Sequence, residues 1–557
     1  MGVEELDDYN KGSSPEKDEP CGDTADAYQD EESSVTEKLT APSHTIKFIP
    51  SDYEAKNGDA KIDLGKSCKP QIGLGKEELM KYANDPFWVR LRMFLFVVFW
   101  VLWIAMLVGA VVIVILTPKC APKPEPKWWQ KSSIYHVYLK SYQDSNSDGE
   151  GDIQGLIKRQ AYLSDLKVGA LLISPIHPSG GVDGGYDVTD YKAVDDKMGT
   201  LEEFDQLIKT MNEKDIRVIM DFVPNHSSKS HRWFELSENR TEPYTDYYVW
   251  ADNKGTDEQP EPPNNWISVV GGSAWKWSSK RKQFYLHQFS EEQPDLNLTN
   301  PLVKKELEEV LKFWLDHGVD GFRIDAISHL YEDEELRDEP RSDDTEAQPG
   351  VAGRTTTRAL RSKIVLDQLR AECQHGCCRI LVTEAMGDLN EVLAYYGNVT
   401  APLAQIPLNL DMANLQGSLT APQVLTMMDN WSNATGRDFW PNWVMGTHDG
   451  PRLASRLGSD LSAALRAMVV LARGTPILYY GDELGMTNLE LPQGDSWDKL
   501  NLSRSSYRSP MQWDNSSQAG FTTGSPWLPV NPNYPAINVE VCIQTPLLCS
   551  DTADSNQ

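Results

Sequence analysis

The stretch Arg217-Val218-Ile219-Met220-Asp221-Phe222-Val223-Pro224-Asn225-His226 joins a strand-like apolar run to a polar end. Its first six residues have the length of a buried strand, and an amphipathic helical pattern at residues 201–211 precedes them. A helix followed by a buried strand is the repeating unit of a parallel sheet with helices outside. The stretch therefore predicts an α/β fold with polar side chains at the end of a strand.

The same alternation extends on both sides of this stretch. Further strand-like runs are residues 134–139, 170–174, 380–383 and 476–480, and a second amphipathic helix is residues 303–315. Repeated units over roughly 250 residues suit a (β/α)8 TIM barrel. Residues 227–292 interrupt the rhythm with an aromatic and proline-rich segment that is too long for a simple loop. We therefore predict a barrel over residues 128–226 and 293–540, with a small inserted domain at 227–292 after the third strand.

The chain before the barrel contains one long uncharged segment. Residues 93–116 carry no charged side chain, and about 20 apolar residues suffice for a helix to cross a membrane. Arg90 and Arg92 flank its amino-terminal side, which favours a cytoplasmic amino terminus. We predict a disordered acidic tail at 1–75, a juxtamembrane segment at 76–92, a transmembrane helix at 93–116 and a linker at 117–127.

Charge and glycosylation motifs agree with this orientation. The formal net charge of −29 argues against nucleic acid as a partner, because phosphate binding needs a basic surface. Asn-x-Ser/Thr motifs are frequent after residue 200, which favours the secretory pathway for that half of the chain. The predicted glycosylation sites are Asn239, Asn297, Asn398, Asn430, Asn433, Asn501 and Asn515. We expect a type II protein of the plasma membrane with an extracellular barrel.

Four further motifs follow residues 221–226 along the chain. In order they are Gln293-Pro294-Asp295-Leu296-Asn297, Gly321-Phe322-Arg323-Ile324-Asp325, Thr383-Glu384-Ala385 and Gly446-Thr447-His448-Asp449. Motifs that end strands place their side chains at the carboxyl mouth of a barrel. The ordered set of five resembles the α-amylase superfamily of glycoside hydrolases, and most closely its α-glucosidase (maltase) branch.

The resemblance implies catalytic roles for three carboxylates. Asp325 matches the nucleophile, Glu384 the general acid/base, and Asp449 the carboxylate that holds sugar hydroxyls and stabilises the transition state. A retaining glycosidase needs one carboxylate and one carboxylic acid about 5–5.5 Å apart. All three residues are present, although Thr447 stands where the family usually has asparagine. Ala326, directly after Asp325, resembles enzymes that act on α-1,4 bonds.

The resemblance also implies a set of substrate-binding residues. Arg323 lies two residues before Asp325, hence on the same face of its strand, where its charge can keep Asp325 ionised. An alternative is that Asp221 and Arg323 form only a core salt bridge. The predicted substrate-binding residues are Tyr186, Asp187, His226, Arg323, His448 and Arg452.

The segment 144–152 predicts a metal-binding loop. It places oxygen-bearing side chains at alternate positions together with a glycine for a sharp turn, as hard cations such as Ca²⁺ require. It resembles the calcium loop after the first strand in the α-glucosidase branch, although it lacks the complete EF-hand pattern, and an ordinary polar turn is the alternative. The predicted calcium ligands are Asp144, Asn146, Asp148 and Asp152.

The membrane end resembles a different group of proteins. Residues 88–129 are similar to the heavy chains of heteromeric amino-acid transporters, of the rBAT and surface-antigen type, which join a type II span to an α-glucosidase-like ectodomain. Cys120 matches the cysteine through which these chains form a disulfide with a multi-spanning light chain. A free or palmitoylated Cys120 is the alternative. The sequence thus predicts a heavy subunit, or alternatively a membrane-anchored α-glucosidase that works without a transporter.

The remaining cysteines and the carboxyl terminus leave questions open. No cysteine pair has the spacing of a zinc site with a matching second pair. The pairing of Cys373, Cys377, Cys378, Cys542 and Cys549 cannot be deduced. Family members continue into a β-sandwich domain, whereas residues 541–557 resemble nothing that we can place. We therefore expect the carboxyl-terminal sandwich to be missing from this chain.

Overall fold

A computed structural model describes residues 75–117, 125–339, 379–417, 419–492, 498–500 and 502–544. The chain divides into two compact units, residues 1–121 and 122–557. Several predictions fall on residues outside the described ranges. These are the tail before residue 75, Cys120, Cys373, Cys377, Cys378, Cys549, Asn501 and the segment after residue 544.

The first unit contains two helices, α1 (Lys76–Ala83) and α2 (Pro86–Leu116). Helix α2 starts seven residues before the predicted span because Pro86 occupies its first turn and the Asp85 side chain caps it, accepting from Phe87 N at 2.8 Å. Its apolar side chains are exposed along its length. Within the described residues it is the one helix long and apolar enough to cross a membrane.

The second unit is built on a parallel eight-stranded sheet, as predicted for the barrel. The strand order is β10-β11-β1-β2-β3-β7-β8-β9, numbered along the chain. The two end strands approach each other where Val444 N donates to Asn409 O at 3.4 Å. The strands are β1 Ile134–Val137, β2 Ala170–Ile173, β3 Arg217–Phe222, β7 Gly321–Ile324, β8 Ile380–Thr383, β9 Ile406–Pro407, β10 Asn442–Val444 and β11 Thr475–Tyr479.

Helices alternate with these strands along the chain. The long helices carry capped ends; Thr200 and Glu203 form a capping box at the start of Leu201–Asn212, and Asn300 caps Pro301–Asp316. The α-helices of this unit are Trp128–Lys131, Ile153–Lys158, Gln160–Asp165, Leu201–Asn212, Arg232–Glu238, Pro301–Asp316, Leu389–Leu393, Ala421–Thr435, Leu453–Leu457, Ser459–Leu471 and Val539–Gln544.

The predicted insertion follows β3 and has its own small sheet. Strands β4 (Trp250–Ala251), β5 (Trp275–Ser278) and β6 (Gln283–Leu286) pair antiparallel in the order β4-β6-β5. A separate apolar cluster fills this sheet, with Trp266 and Trp275 stacked at 5.7 Å between ring centroids. The insertion therefore has an apolar cluster of its own, while its residues Tyr248 and Tyr285 join the main apolar cluster of the barrel.

The barrel strands bury apolar side chains on both faces. Leu172, Ile219 and Val382 pack in an inner cluster. Their strand neighbours Leu171 and Leu381 belong to the outer cluster, which lies between sheet and helices. This alternation is the expected consequence of a parallel sheet covered by helices. It also decides which polar residues at the strand ends point into the barrel.

Candidate active site

Strand alternation carries four polar side chains to the inner face of the barrel mouth. His136 is two residues after the inward Ile134, Asp221 two after Ile219, and Glu384 two after Val382. Arg323 stands between Phe322 and Ile324, which both pack outward. The alternation of inward and outward side chains along the strands is therefore sufficient to place these polar groups together at the barrel mouth.

Arg323 is the centre of the charged cluster. Its side chain is 3% exposed; Nη1 contacts Asp221 Oδ1 and lies 3.1 Å from Asp325 Oδ1, and Nη2 lies 2.9 Å from Glu384 Oε1. One guanidinium thus joins three carboxylates, including the two predicted to perform catalysis. Three negative charges against one positive charge leave an excess that a proton must relieve.

Asp325 and Glu384 contact the same guanidinium. Burial, and next the adjacent Glu384 carboxylate, raise the pKa of Asp325 well above its usual range. Retaining glycoside hydrolysis requires one carboxylate and one carboxylic acid side by side, and neighbouring carboxyl groups that disfavour each other's ionisation can supply both.

The turn after Asp325 has an unusual backbone conformation. Ala326 adopts a left-handed conformation with φ of 48°. Its N–H points to Glu384 Oε2 at 3.4 Å. Few non-glycine residues adopt this region. The turn therefore fixes the backbone after Asp325 against the second carboxylate.

Asp449 belongs to a second cluster of charges. Its Oδ2 lies 3.0 Å from His448 Nε2, and its Oδ1 accepts from Arg508 Nη2 at 2.7 Å and from Arg504 Nη1 at 3.5 Å. Burial acts to raise its pKa, but His448, Arg508 and Arg504 together lower it well below the usual range. The Asp449 side chain is nevertheless 38% exposed. It is an ionised acceptor open to a ligand.

Tyr186 connects the two clusters. Its hydroxyl donates to Asp221 Oδ2 at 2.7 Å, and its ring stacks on His448 with centroids 5.1 Å apart and planes 4° apart. Tyr138 also stacks on His448, at 5.9 Å and 13°. The predicted residues Tyr186, His448, Arg323 and the three carboxylates are therefore brought together.

His226 reaches the mouth through a hydrogen-bond network. Its Nε2 lies 3.1 Å from Gln293 Nε2, and Gln293 donates to Asp183 Oδ2 at 2.8 Å. Asp183 accepts in turn from Arg504 Nη2 at 2.6 Å. Burial lowers the pKa of His226 to about 4, so its imidazole is neutral at physiological pH. This network ends at Arg504, which also contacts Asp449.

The sequence analysis missed four residues of this arrangement. They are Asp183, Gln293, Arg504 and Arg508. A weak signal was available for two of them, since Gln293 opens a quoted motif and Asp183 lies three residues before Tyr186. Arg504 and Arg508 lie in a loop more than 300 residues from Asp183 in sequence, and no local pattern marks them.

Comparison with known proteins agrees with this geometry. A family profile described as the alpha amylase catalytic domain matches residues 136–547. The chain belongs to the α-amylase family. Maltase A2 of Drosophila melanogaster is 40% identical over 436 residues, which cover 74% of this chain and 75% of the maltase. The crystal structure of the alpha-glucosyl transfer enzyme XgtA matches with a TM-score of 0.69 at 33% identity, covering 76% of this chain and 82% of that one.

A second profile matches the membrane end of this α-amylase-family chain. The profile, described as the N-terminus of solute carrier family 3 member 2, covers residues 59–135. The human amino acid transporter heavy chain SLC3A1 is 37% identical over 495 residues, which cover 86% of this chain and 70% of the heavy chain. The chain is thus similar to both groups that its sequence resembles.

Two residues predicted to bind substrate have other contacts in the α-amylase barrel. Asp187 accepts from Ser179 Oγ and from the backbone N–H groups of Val182 and Asp183, so it shapes the loop whose Asp183 faces the site. Arg452 donates to the carbonyl of Tyr480 at 2.7 Å and lies over the Tyr480 ring. Arg504, by contrast, contacts both Asp183 and Asp449.

The predicted calcium loop is closed by its own hydrogen bonds. Asp144 accepts from the N–H groups of Asn146, Ser147 and Gly149, and Asp152 accepts from Ser145 N and Gly155 N. In the described part of the chain, no three His, Cys, Asp or Glu side chains converge as a metal cluster. The side chains as placed therefore do not form a cation cage, and calcium stays a prediction.

Most predicted glycosylation sites that the structure describes are accessible. Asn239, Asn398, Asn430, Asn433 and Asn515 are exposed, whereas Asn297 is half-buried and its amide donates to Asp246 O. Asn225, which also stands in an Asn-x-Ser motif, is 1% exposed. Cys542 is disulfide-bonded, and its partner lies outside the described residues because all seven other cysteines do.

Proposed function

We propose that the barrel hydrolyses α-glucosides with retention of configuration. The observation that carries this proposal is the bridge that Arg323 makes between Asp325 and Glu384. The bridge brings both carboxyl groups to one guanidinium, and the Glu384 carboxylate, after burial, raises the pKa of Asp325. The identity to maltases and the predicted α-1,4 preference support α-linked glucose as the substrate class.

The reaction follows from the roles of these side chains. Glu384 donates its proton to the glycosidic oxygen while an Asp325 oxygen attacks the anomeric carbon, which breaks the bond to the leaving group and forms a glycosyl ester. Glu384, now a carboxylate, then takes a proton from water as the water oxygen replaces Asp325. Ionised Asp449 accepts hydrogen bonds from sugar hydroxyls and stabilises the positive charge that develops on the ring.

Glucose release from maltose by the purified full-length chain in detergent tests this proposal. We expect release by the wild type and none above background by Asp325→Asn. The matched control is Asp316→Asn, which makes the same change at an exposed carboxylate nine residues earlier. Wild-type protein without glucose release, or equal release by Asp325→Asn, would contradict the enzyme assignment.

We further propose that the chain is the heavy subunit of a heteromeric amino-acid transporter at the plasma membrane. The profile match at residues 59–135, the SLC3A1 relative and helix α2 support it. The light chain would be a multi-spanning protein joined through Cys120, with the amino terminus cytoplasmic and the barrel extracellular. Hydrolysis and this role are compatible, because the anchor and the barrel mouth are different parts of the chain.

A non-reducing gel of membranes tests the disulfide. We expect a band of higher mass that dithiothreitol removes and that Cys120→Ser abolishes, while Cys68→Ser, on the predicted cytoplasmic side, retains it. Mass spectrometry of that band should identify a multi-spanning transporter. A wild-type chain that runs only as a monomer contradicts the heavy-subunit proposal and leaves an α-glucosidase that works without a transporter.

We also propose that the 144–152 loop binds Ca²⁺. Asp144, Asp148 and Asp152 lie within nine residues, and none of them has a basic partner among the described salt bridges. The nearby Lys140 and Lys197 both pair with Glu150 instead. Binding would require the carboxylates to exchange some of their backbone hydrogen bonds for the cation.

A further inference from the structure

Two buried imidazole rings meet beneath the barrel mouth with unused nitrogens. His136 of β1 is 3% exposed, and its ring centroid lies 5.3 Å from that of His448 with the planes 87° apart. His136 Nε2 and His448 Nδ1 are buried, and neither has a hydrogen-bond partner in the described part of the chain. A buried polar group left unpaired costs about 1–3 kcal/mol, so this pair requires an explanation.

The contact between His448 and Asp449 decides which His448 nitrogen carries the proton. Asp449 is ionised, and a carboxylate can only accept hydrogen bonds. Because His448 Nε2 lies 3.0 Å from Asp449 Oδ2, Nε2 must carry a proton for this contact to be favourable. The other nitrogen of the same ring, Nδ1, is buried and still needs a hydrogen-bond partner.

The His136 ring lies beside that nitrogen and has an unpaired nitrogen of its own. Burial, and next the charges of His448 and Arg323, lower the pKa of His136 well below its usual range. His136 is therefore neutral at physiological pH and has one N–H to place. The groups around the two rings are Arg323, Asp449, Arg508, Tyr138, Tyr186 and Tyr479.

We propose that His136 is a positioning residue whose Nε2 is joined to His448 Nδ1 by one bridging water. The two nitrogens are not hydrogen-bonded to each other directly, and one water between two such nitrogens satisfies both. This holds the His448 ring in the orientation in which Nε2 donates to Asp449. His136 thereby acts through His448 on the carboxylate that holds sugar hydroxyls. The inference rests on the proposed glycosidase function.

Substitution of His136 in the full-length protein tests the proposal. His136→Gln keeps an N–H donor at similar reach, whereas His136→Asn carries the same amide one methylene shorter, and His136→Phe keeps a ring without nitrogen. We expect kcat/KM on maltose to fall about tenfold in the Asn and Phe variants, mainly through KM, and to stay near wild type in the Gln variant. The affinity for the iminosugar deoxynojirimycin should fall in parallel.

Several outcomes would overturn the proposal. Equal loss in the Gln, Asn and Phe variants means that His136 only fills space. Unchanged KM and inhibitor affinity in all three means that the His136–His448 contact does not orient Asp449. Calorimetric binding of deoxynojirimycin needs no turnover, so it still tests His136 if the wild type releases no glucose. In that case the proposed hydrolysis fails while the positioning role stands or falls on the inhibitor data.

Discussion

Helix α2 and the barrel mouth place apolar and charged side chains in opposite ways. Along α2 the apolar side chains are exposed, with Val114 at 78% and Leu116 at 74%. In the mouth, Arg323 and its carboxylate partners are buried. A soluble protein exposes a long apolar helix or buries charged side chains only where other interactions offset the free-energy cost. The exposed apolar helix requires lipid as its solvent, and the buried charges require one another.

The two regions tolerate different kinds of substitution. In α2 no single side chain matters as long as the segment stays uncharged, because partitioning into lipid is a sum over residues. In the mouth each charge depends on its neighbours, because removal of one partner leaves another charge buried and unpaired. Substitutions in one region at a time separate these two behaviours, and their expected effects decrease in the order in which they follow.

Two charges in the centre of α2 should have the largest effect. An aspartate at a helix centre costs roughly 2.5–3.5 kcal/mol of membrane insertion, so Val101→Asp with Ile104→Asp costs about 5–7 kcal/mol. We expect the double variant to move from the carbonate-resistant pellet to the soluble fraction. The control is Val101→Leu with Ile104→Leu, which should stay in the pellet. A double aspartate variant that remains carbonate-resistant would mean that α2 is not the anchor.

Glu384→Gln should reduce hydrolysis without reducing stability. Loss of a general acid lowers kcat/KM on maltose by roughly 10²–10⁴-fold. The substitution also removes one of three negative charges around Arg323, so the unfolding temperature should not fall. Glu213→Gln, at an exposed helix end, is the matched control and should change neither quantity. A lower unfolding temperature with activity retained would assign Glu384 an architectural role.

The acid limb of the pH profile should lie above the usual carboxylate range. Asp325 must be ionised to attack, and its pKa is raised by burial and next by Glu384. Activity should therefore be lost as pH falls through this raised pKa, whereas the lowered pKa of Asp449 keeps that group ionised there.

Glu384→Gln removes the second of the two causes that raise the Asp325 pKa, so it should shift the acid limb to lower pH. The shift is measurable as kcat/KM against pH with an aryl α-glucoside whose leaving group needs no proton. An unmoved limb in Glu384→Gln would show that the pair is not coupled.

Calcium binding should have the smallest effect, which is a rise in the unfolding temperature. At a Ca²⁺ concentration about five times the dissociation constant, linkage adds roughly 1 kcal/mol to the free energy of unfolding. We expect scanning fluorimetry to show an unfolding temperature that rises by a few degrees and returns on chelation, with no rise in Asp148→Asn. Equal rises in both proteins, or none in the wild type, would contradict the loop assignment.

The fold and the positions of the candidate carboxylates could be predicted because their signals are local. The runs 217–222 and 380–383 match the observed strands β3 and β8, since continuous apolar runs mark buried parallel strands. Asp325 and Glu384 directly follow their strands, so identifying the strand identifies the residue. Helix α2 begins before the predicted span because the absence of charge marks the apolar part of a helix, not its cap at Asp85.

The second cluster could not be predicted because its contacts join distant segments. Arg504 meets Asp183 and Asp449 only after the loop that follows β11 folds over the mouth. Asp187 and Arg452 show the converse, because each matches a family pattern, yet Asp187 accepts from nearby backbone N–H groups and Arg452 Nη1 donates to the Tyr480 carbonyl. A motif fixes residue type and approximate place, whereas the hydrogen-bond partner depends on the final backbone.

The left-handed turn at Ala326 has a consequence for engineering. An alanine with φ of 48° lowers the free energy of unfolding by roughly 1 kcal/mol relative to a glycine, which adopts this region freely. Ala326→Gly is thus an easy route to a more heat-resistant chain, yet it frees the backbone between Asp325 and the Glu384 carboxylate. Selection for thermostability alone would favour this exchange at the expense of turnover, so position 326 is one to hold constant in any stabilised variant.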